Sequence, residues 1–126
     1  METVLKVLVC GSRLWTNRTP IERELRKLGP GVIVVHGAHW EGADAIADVV
    51  AQELGLIVRR YPANWRGYGR AAGPKRNAEM IAKEHLPAEP INLCLAFAEN
   101  FSGAHGTSDM RRKAVAAGIR VESFES

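Results

Sequence analysis

The stretch LCLAFAENFSGAHGTSDMRRKAVAAGIRV, Leu93 to Val121, decides the fold. Up to Phe97 it is apolar at every position, which suits a strand covered on both faces. A loop carrying Gly103, Gly106 and Thr107 follows. The spacing then predicts a helix over Ser108 to Ala117, stopped by Gly118, and a further strand in IRVESF. A strand, a glycine loop, a helix and a second strand in succession make one turn of an alternating α/β chain.

Upstream, the same alternation recurs. VLKVLVC (Val4 to Cys10) reads as a first strand, and Thr19, Pro20 and Glu22 read as a capping box opening a helix that Gly29 ends. VIVVH (Val32 to His36) is a second strand. Ala43, Ile46, Ala47, Val50, Ala51 and Leu54 share one helical face before Gly55. LIVRRY is a third strand, a helix is expected over Lys75 to Leu86 behind Pro74, and INLCLAF (Ile91 to Phe97) is the fourth strand. Five strands alternating with four helices predict a doubly wound α/β domain, a mostly parallel five-stranded sheet with helices on both faces.

Composition agrees with a single domain over residues 1–126: 46% of residues are hydrophobic and 25% charged, with a net charge of +3. No apolar run nears the roughly 18 residues of a membrane span, and no signal-peptide layout opens the chain, so a cytoplasmic protein without a membrane partner is expected. Cys10 and Cys94 fall in apolar runs without a CxxC pair and read as buried thiols. His36, His39 and His105 lack metal-ligand spacing, so no metal is expected, and no motif calls for a cofactor.

In a doubly wound sheet ligands sit where the strand order reverses, beyond the carboxyl ends of the strands. With the first strand central, that places Gly11, Ser12 and Arg13 beside Gly103, His105, Gly106 and Thr107. Glycines let backbone N–H groups approach a phosphate, hydroxyls donate, and a helix N-terminus favours an anion. The alternative is a tight turn with Thr107 as a plain helix cap. Arg59 to Asn77 adds six cations and no acid, interleaved with Tyr61, Trp65 and Tyr68, which suits anions and stacked bases as well as a solvated loop.

Together VCGSRLW, VVHGAHWEGADAIADVVAQELG, YPANWRGYGRAAGPKRNAEM and SGAHGTSDMRRKAVAAGIRV resemble the YspA/YpsA-related proteins of the SLOG superfamily, in order over about Leu5 to Val121. The superfamily includes the Lonely Guy (LOG) enzymes and DNA-processing protein A. The resemblance implies a Rossmann-like fold binding a nucleotide or nucleotide-derived molecule, with Gly37, Asp44 and Asn77 joining the ligand-binding set. LOG enzymes hydrolyse the N-glycosidic bond of nucleoside 5′-monophosphates and are often dimers. By the same resemblance RNAEM puts Arg76, and GTSD puts Asp109, at the catalytic arginine and acid of a phosphoribohydrolase. Ser102 stands for the LOG proline, Ala104 for a glycine, and Asp109 is one methylene shorter than the LOG glutamate. The DNA-processing relative implies weak, non-specific, single-stranded nucleic-acid binding through Arg59 to Arg76. Asp44 also suits the first turn of a helix whatever the ligand.

Overall fold

A computed structural model describes residues 5–125 of the chain. Five strands, β1 (Lys6–Gly11), β2 (Ile33–His36), β3 (Ile57–Arg60), β4 (Leu93–Ala98) and β5 (Val121–Glu125), pair in parallel in the order β3-β2-β1-β4-β5. Leu8 lies opposite Val35 on one side and Cys94 on the other, which fixes the register at the centre. The three inner strands are buried on both faces, as their largely apolar runs require. The two edge strands are half-exposed and carry Arg59, Arg60, Glu122 and Glu125, charges that discourage pairing with another chain. The expected start of the first strand at Val4 lies outside the described residues.

The helices are α1 (Arg18–Leu28), α2 (Ala43–Glu53), the single turn α3 (Trp65–Tyr68), α4 (Ala72–Glu84) and α5 (His105–Ala116). Alternate residues of β1 point to opposite faces of the sheet. Val7 and Val9 pack with Ile21, Leu25, Ala47 and Val50 of α1 and α2. Leu8 and Cys10 pack with Met80 of α4 and Met110 and Ala114 of α5. The fold is therefore Rossmann-like and fully parallel, with helices on both faces. No helix among the described residues is long and apolar enough to cross a membrane.

Three helix starts differ from the sequence expectation, each for a local reason. Asn17, not Thr19, caps α1, because its side chain accepts from the Thr19 N–H at 3.1 Å. α4 begins at Ala72, so Pro74 sits in the first turn, where a missing N–H removes no helical bond. α5 begins at His105, three residues early: the Ser108 N–H already reaches the Ala104 carbonyl at 2.9 Å. Gly106 and Thr107 thus belong to a helix rather than to a loop.

Lys6, in the midst of the first apolar run, is buried. Its Nζ donates to the Glu84 carbonyl at 2.8 Å and pairs with the carboxylates of Glu84 and Glu89 at 3.0 and 2.9 Å. The charge is tolerated because acceptors meet it on several sides.

Candidate functional site

A cavity of about 360 Å³ opens where the strand order reverses, beyond the carboxyl ends of β1 and β4. Gly11, Ser12, Arg13, Gly37, Asp44, Arg76, Asn77, Gly103, His105, Gly106 and Thr107 all line it. Of the catalytic and ligand-binding residues expected from the sequence, Asp109 alone does not.

Close backbone packing assembles the first wall. A Cβ on Gly11 would overlap the Ala43 side chain and the Phe97 carbonyl, and Ser12 N–H donates to that carbonyl at 2.8 Å. The Ser12 carbonyl in turn accepts from the Ala43 N–H at 3.0 Å, joining the loop after β1 to the start of α2. Gly42 makes this contact possible: it holds φ at 81°, and a side chain there would strike the Ser12 carbonyl and the Arg13 backbone. The junction delivers Asp44 to the cavity.

Asp44 is 7% exposed. One oxygen accepts from the His39 N–H at 3.3 Å, and the other has no hydrogen-bond partner among the described residues. Burial pushes its pKa up, against the pull of His36 and Arg76. Arg76 joins the loops after β2 and β3 by donating to the Gly37 and Tyr61 carbonyls, and its Nε donates to Asn77 Oδ1 at 2.9 Å. Gly37 has no room for a side chain against that guanidinium. Burial lowers the Arg76 pKa, while Asp44 acts to raise it.

Asn77, itself buried, donates to the Gly106 carbonyl at 3.2 Å and to Asp109 at 3.0 Å. Asp109 also takes Lys113 Nζ at 2.6 Å and lies 3.6 Å from Arg112. Burial works to raise its pKa, but Lys113 and Asn77 outweigh this and hold it below the ordinary value. Asp109 thus stands behind Asn77 as an ion-paired anion.

The second wall is the N-terminus of α5. Its cap position, Ala104, offers no side-chain acceptor, so the N–H groups of His105, Gly106 and Thr107 have no partner among the described residues. Thr107 is 5% exposed and its hydroxyl has no hydrogen-bond partner among them either. Arg13 is exposed at the rim, without an ion pair among the described residues.

The sequence model of the YspA, cpYpsA-related SLOG family matches residues 5–68, about half of the chain. The chain belongs to this family. It is 34% identical to Gene 61 protein of Mycobacterium phage D29, over 94% of this chain and 95% of that protein. The C-terminal domain of a hydrogenase from Pyrococcus furiosus has the same fold, with a TM-score of 0.50 and 16% identity over 98% of this chain and 93% of that one.

In this SLOG-family domain the basic segment is less cationic than its sequence. Arg59 pairs with Glu84 and Glu89, Arg60 with Asp48, and Arg76 turns inward. Arg66, Arg70 and Lys75 are left without acidic partners among the described residues, and Lys75 lies 4.8 Å over the Tyr68 ring. Of the three aromatics, Trp65 lines the cavity and stays half-exposed at its mouth, whereas the Tyr61 hydroxyl donates to Glu84 and its pKa is pushed up to about 12, chiefly by burial. His36 lies under the loop after β2, with Nδ1 accepting from the Ala38 N–H at 2.9 Å and Nε2 2.6 Å from Asp48. His39 lines the cavity and stacks on the exposed Trp40 at 5.6 Å. Cys10 and Cys94 are buried free thiols with Sγ atoms 3.9 Å apart.

Sequence reasoning did not place Leu14, His39 or Gly73 in the site. Gly73 lies against Trp65, and a Cβ there would be 3.3 Å from the indole. Nothing local distinguishes Gly73 from Gly67 and Gly69 in the same segment.

Proposed function

We propose that this domain binds a phosphorylated nucleoside or another nucleotide-derived small molecule in the crevice between the Gly11–Arg13 loop and the start of α5. One observation carries the reading: Asp44 and Thr107, each more than nine-tenths buried, line a single cavity with oxygens that no group of the described chain satisfies. No fully buried side-chain nitrogen or oxygen of the described residues is left unpaired; these two oxygens lack a partner because they open onto the cavity, which suits them to a bound molecule. Three free N–H groups of α5, the Thr107 hydroxyl and Arg13 form the anion half. Trp65 at the mouth supplies a face on which a base stacks. Membership of the SLOG family supports a nucleotide-related ligand.

Calorimetry with AMP, ADP-ribose and adenosine tests this. The expected result is heat with a phosphorylated member, weakened at least tenfold by Arg13→Ala, and little with adenosine. No heat from any phosphorylated member at millimolar concentration overturns the proposal.

Slow hydrolysis of the N-glycosidic bond by Arg76 and Asp109 is the second reading. The observation favouring it is that Arg76 lines the cavity and Asn77, which holds Asp109, lines it too. Chromatography of AMP incubations should then show base and ribose 5-phosphate in equal amounts, lost in Asp109→Asn. Absence of both products while calorimetry shows bound AMP leaves the binding domain.

A further inference from the structure

The backbone at Ala38 is strained. Alone among the described non-glycine residues it holds a positive φ, 57°, a left-handed conformation that a β-carbon disfavours. It does so in the wall of the cavity, between the lining residues Gly37 and His39. Strain of this kind persists only where surrounding bonds over-determine it. Three do so here. The Ala38 N–H donates to His36 Nδ1 at 2.9 Å, the Gly37 carbonyl accepts from Arg76 Nη1, and the His39 N–H donates to Asp44 at 3.3 Å.

Two of these bonds hold one rigid unit. The Gly37 carbonyl and the Ala38 N–H belong to the same planar trans peptide and point in opposite directions, so an acceptor fixed under the N–H aims the carbonyl. His36 is such an acceptor. It ends β2, its carbonyl takes the Tyr61 N–H at 3.0 Å, and its side chain is buried. Its proton is placed as well. Nε2 lies 2.6 Å from Asp48, a carboxylate whose pKa Arg60 holds low, so Nε2 carries the proton and Nδ1 is left to accept. At the other end of the peptide, Arg76 Nη1 donates to the Gly37 and Tyr61 carbonyls and Nε to Asn77. That leaves Nη2 without a partner among the described residues.

Resting on the nucleotide reading above, we infer that His36 is a positioning residue for the ligand site. Oriented by Asp48, its ring holds the Gly37–Ala38 peptide so that the carbonyl anchors Arg76 and leaves one guanidinium nitrogen for the ligand. An ordinary backbone at Ala38 would turn that carbonyl away and release the guanidinium. His36 acts without touching the ligand, since it does not line the cavity.

Two substitutions separate the two ring nitrogens. In His36→Asn the amide oxygen stands where Nδ1 stood and keeps the acceptor, whereas in His36→Gln the amide reaches Asp48 and no polar atom remains at the Nδ1 position. Calorimetry with AMP, with circular dichroism reporting the fold, should show affinity within threefold of the wild type for His36→Asn and at least tenfold weaker for His36→Gln. In an Arg76→Ala background His36→Gln should add less than twofold, because it acts through the arginine. Equal affinities of the two His36 variants, or a tenfold loss that persists without Arg76, overturn the inference and leave nucleotide binding in place. Nitrogen NMR of the free wild type tests the same arrangement without a ligand or a variant: the ring proton is expected on Nε2, and a proton on Nδ1 refutes the inference. Should the wild type bind no AMP, the nucleotide reading falls, and the Arg76 Nε signal of the free protein decides for His36. It should move in His36→Gln and stay in place in His36→Asn; the same response in both refutes the positioning role.

Discussion

Gly42 and Gly55 flank the same helix, α2, and both hold a left-handed backbone, with φ of 81° and 71°. They differ in their surroundings. A Cβ on Gly55 meets nothing within 4 Å, whereas one on Gly42 runs into the Ser12 carbonyl and the Arg13 backbone. Gly55→Ala should therefore cost only the conformational term, about 1–2 kcal/mol, reduced by the smaller entropy of its unfolded chain. Gly42→Ala adds an overlap with backbone that has no rotamer to give way, about 1–3 kcal/mol more, for a total of about 2–5 kcal/mol. Chemical denaturation of both variants measures the difference directly, provided the denaturant slope is unchanged. Gly42→Ala should also weaken AMP binding, since relief of the overlap moves α2, and Asp44 with it, off the Ser12–Arg13 loop. Gly55→Ala should bind as the wild type does. Equal destabilisation by the two substitutions, or unaltered binding in Gly42→Ala, would refute the argument that this contact builds the wall.

Thr107→Val keeps the shape and β-branching of a side chain that bonds nothing in the free protein. Its stability should not fall, because no hydrogen bond within the described chain is lost, while loss of a hydrogen bond to an anion, about 1.5–3 kcal/mol, weakens AMP on the order of 10- to 100-fold. Unchanged affinity in calorimetry would remove Thr107 from the site. Asp44→Asn should raise the melting temperature at pH 7. Burial lifts the folded pKa of Asp44 above its unfolded value of 3.8, so the folded state loses stability as pH rises from there through the folded value. The gain should vanish below that window, and a scan showing it unchanged at pH 3 would contradict the burial argument. Asp48 acts in the opposite sense. Its pKa is lowered, first by Arg60, so its contribution is present above 3.8 and lost as pH falls through the lower folded value. Single-stranded DNA should bind weakly, with log K falling against log salt at a slope of about −2 if Arg66, Arg70 and Lys75 make the phosphate contacts. Tight, sequence-selective binding at physiological salt in a gel shift would contradict that.

The order of the five strands and the four long helices was determined by the sequence alone, because it is written in local patterns; the single turn α3 was not. Apolar runs, a 3.6-residue period in Ala43 to Leu54 and glycines at 29, 55 and 118 each act within a few residues of themselves. Alternation then limits the sheet to few topologies, and the reversal of strand order puts the Gly11 and Gly103 loops together. Partners distant along the chain were not legible in this way. Lys6 interrupts an apolar run and is buried because Glu84 and Glu89 close over it, about eighty residues on. Six cations between Arg59 and Arg76 read as one basic segment, yet Asp48, Glu84 and Glu89 neutralise two of them and the Gly37 carbonyl turns a third inward.

The two acids of the site separate these levels most sharply. Asp44 follows EGA and Asp109 follows GTS, both short carboxylates near the start of a helix after a glycine. Lys113, one helical turn beyond Asp109, was a visible i,i+4 partner and an available sign that this acid is occupied. Nothing local marks Asp44 as the acid that faces the cavity. That depended on Gly42 packing against Arg13, a contact between segments that meet only after α1 and β2 have returned the chain to the carboxyl end of β1. Sequence periodicity reports which face of a helix is apolar; the direction of its first turn is set by whatever backbone it lands on.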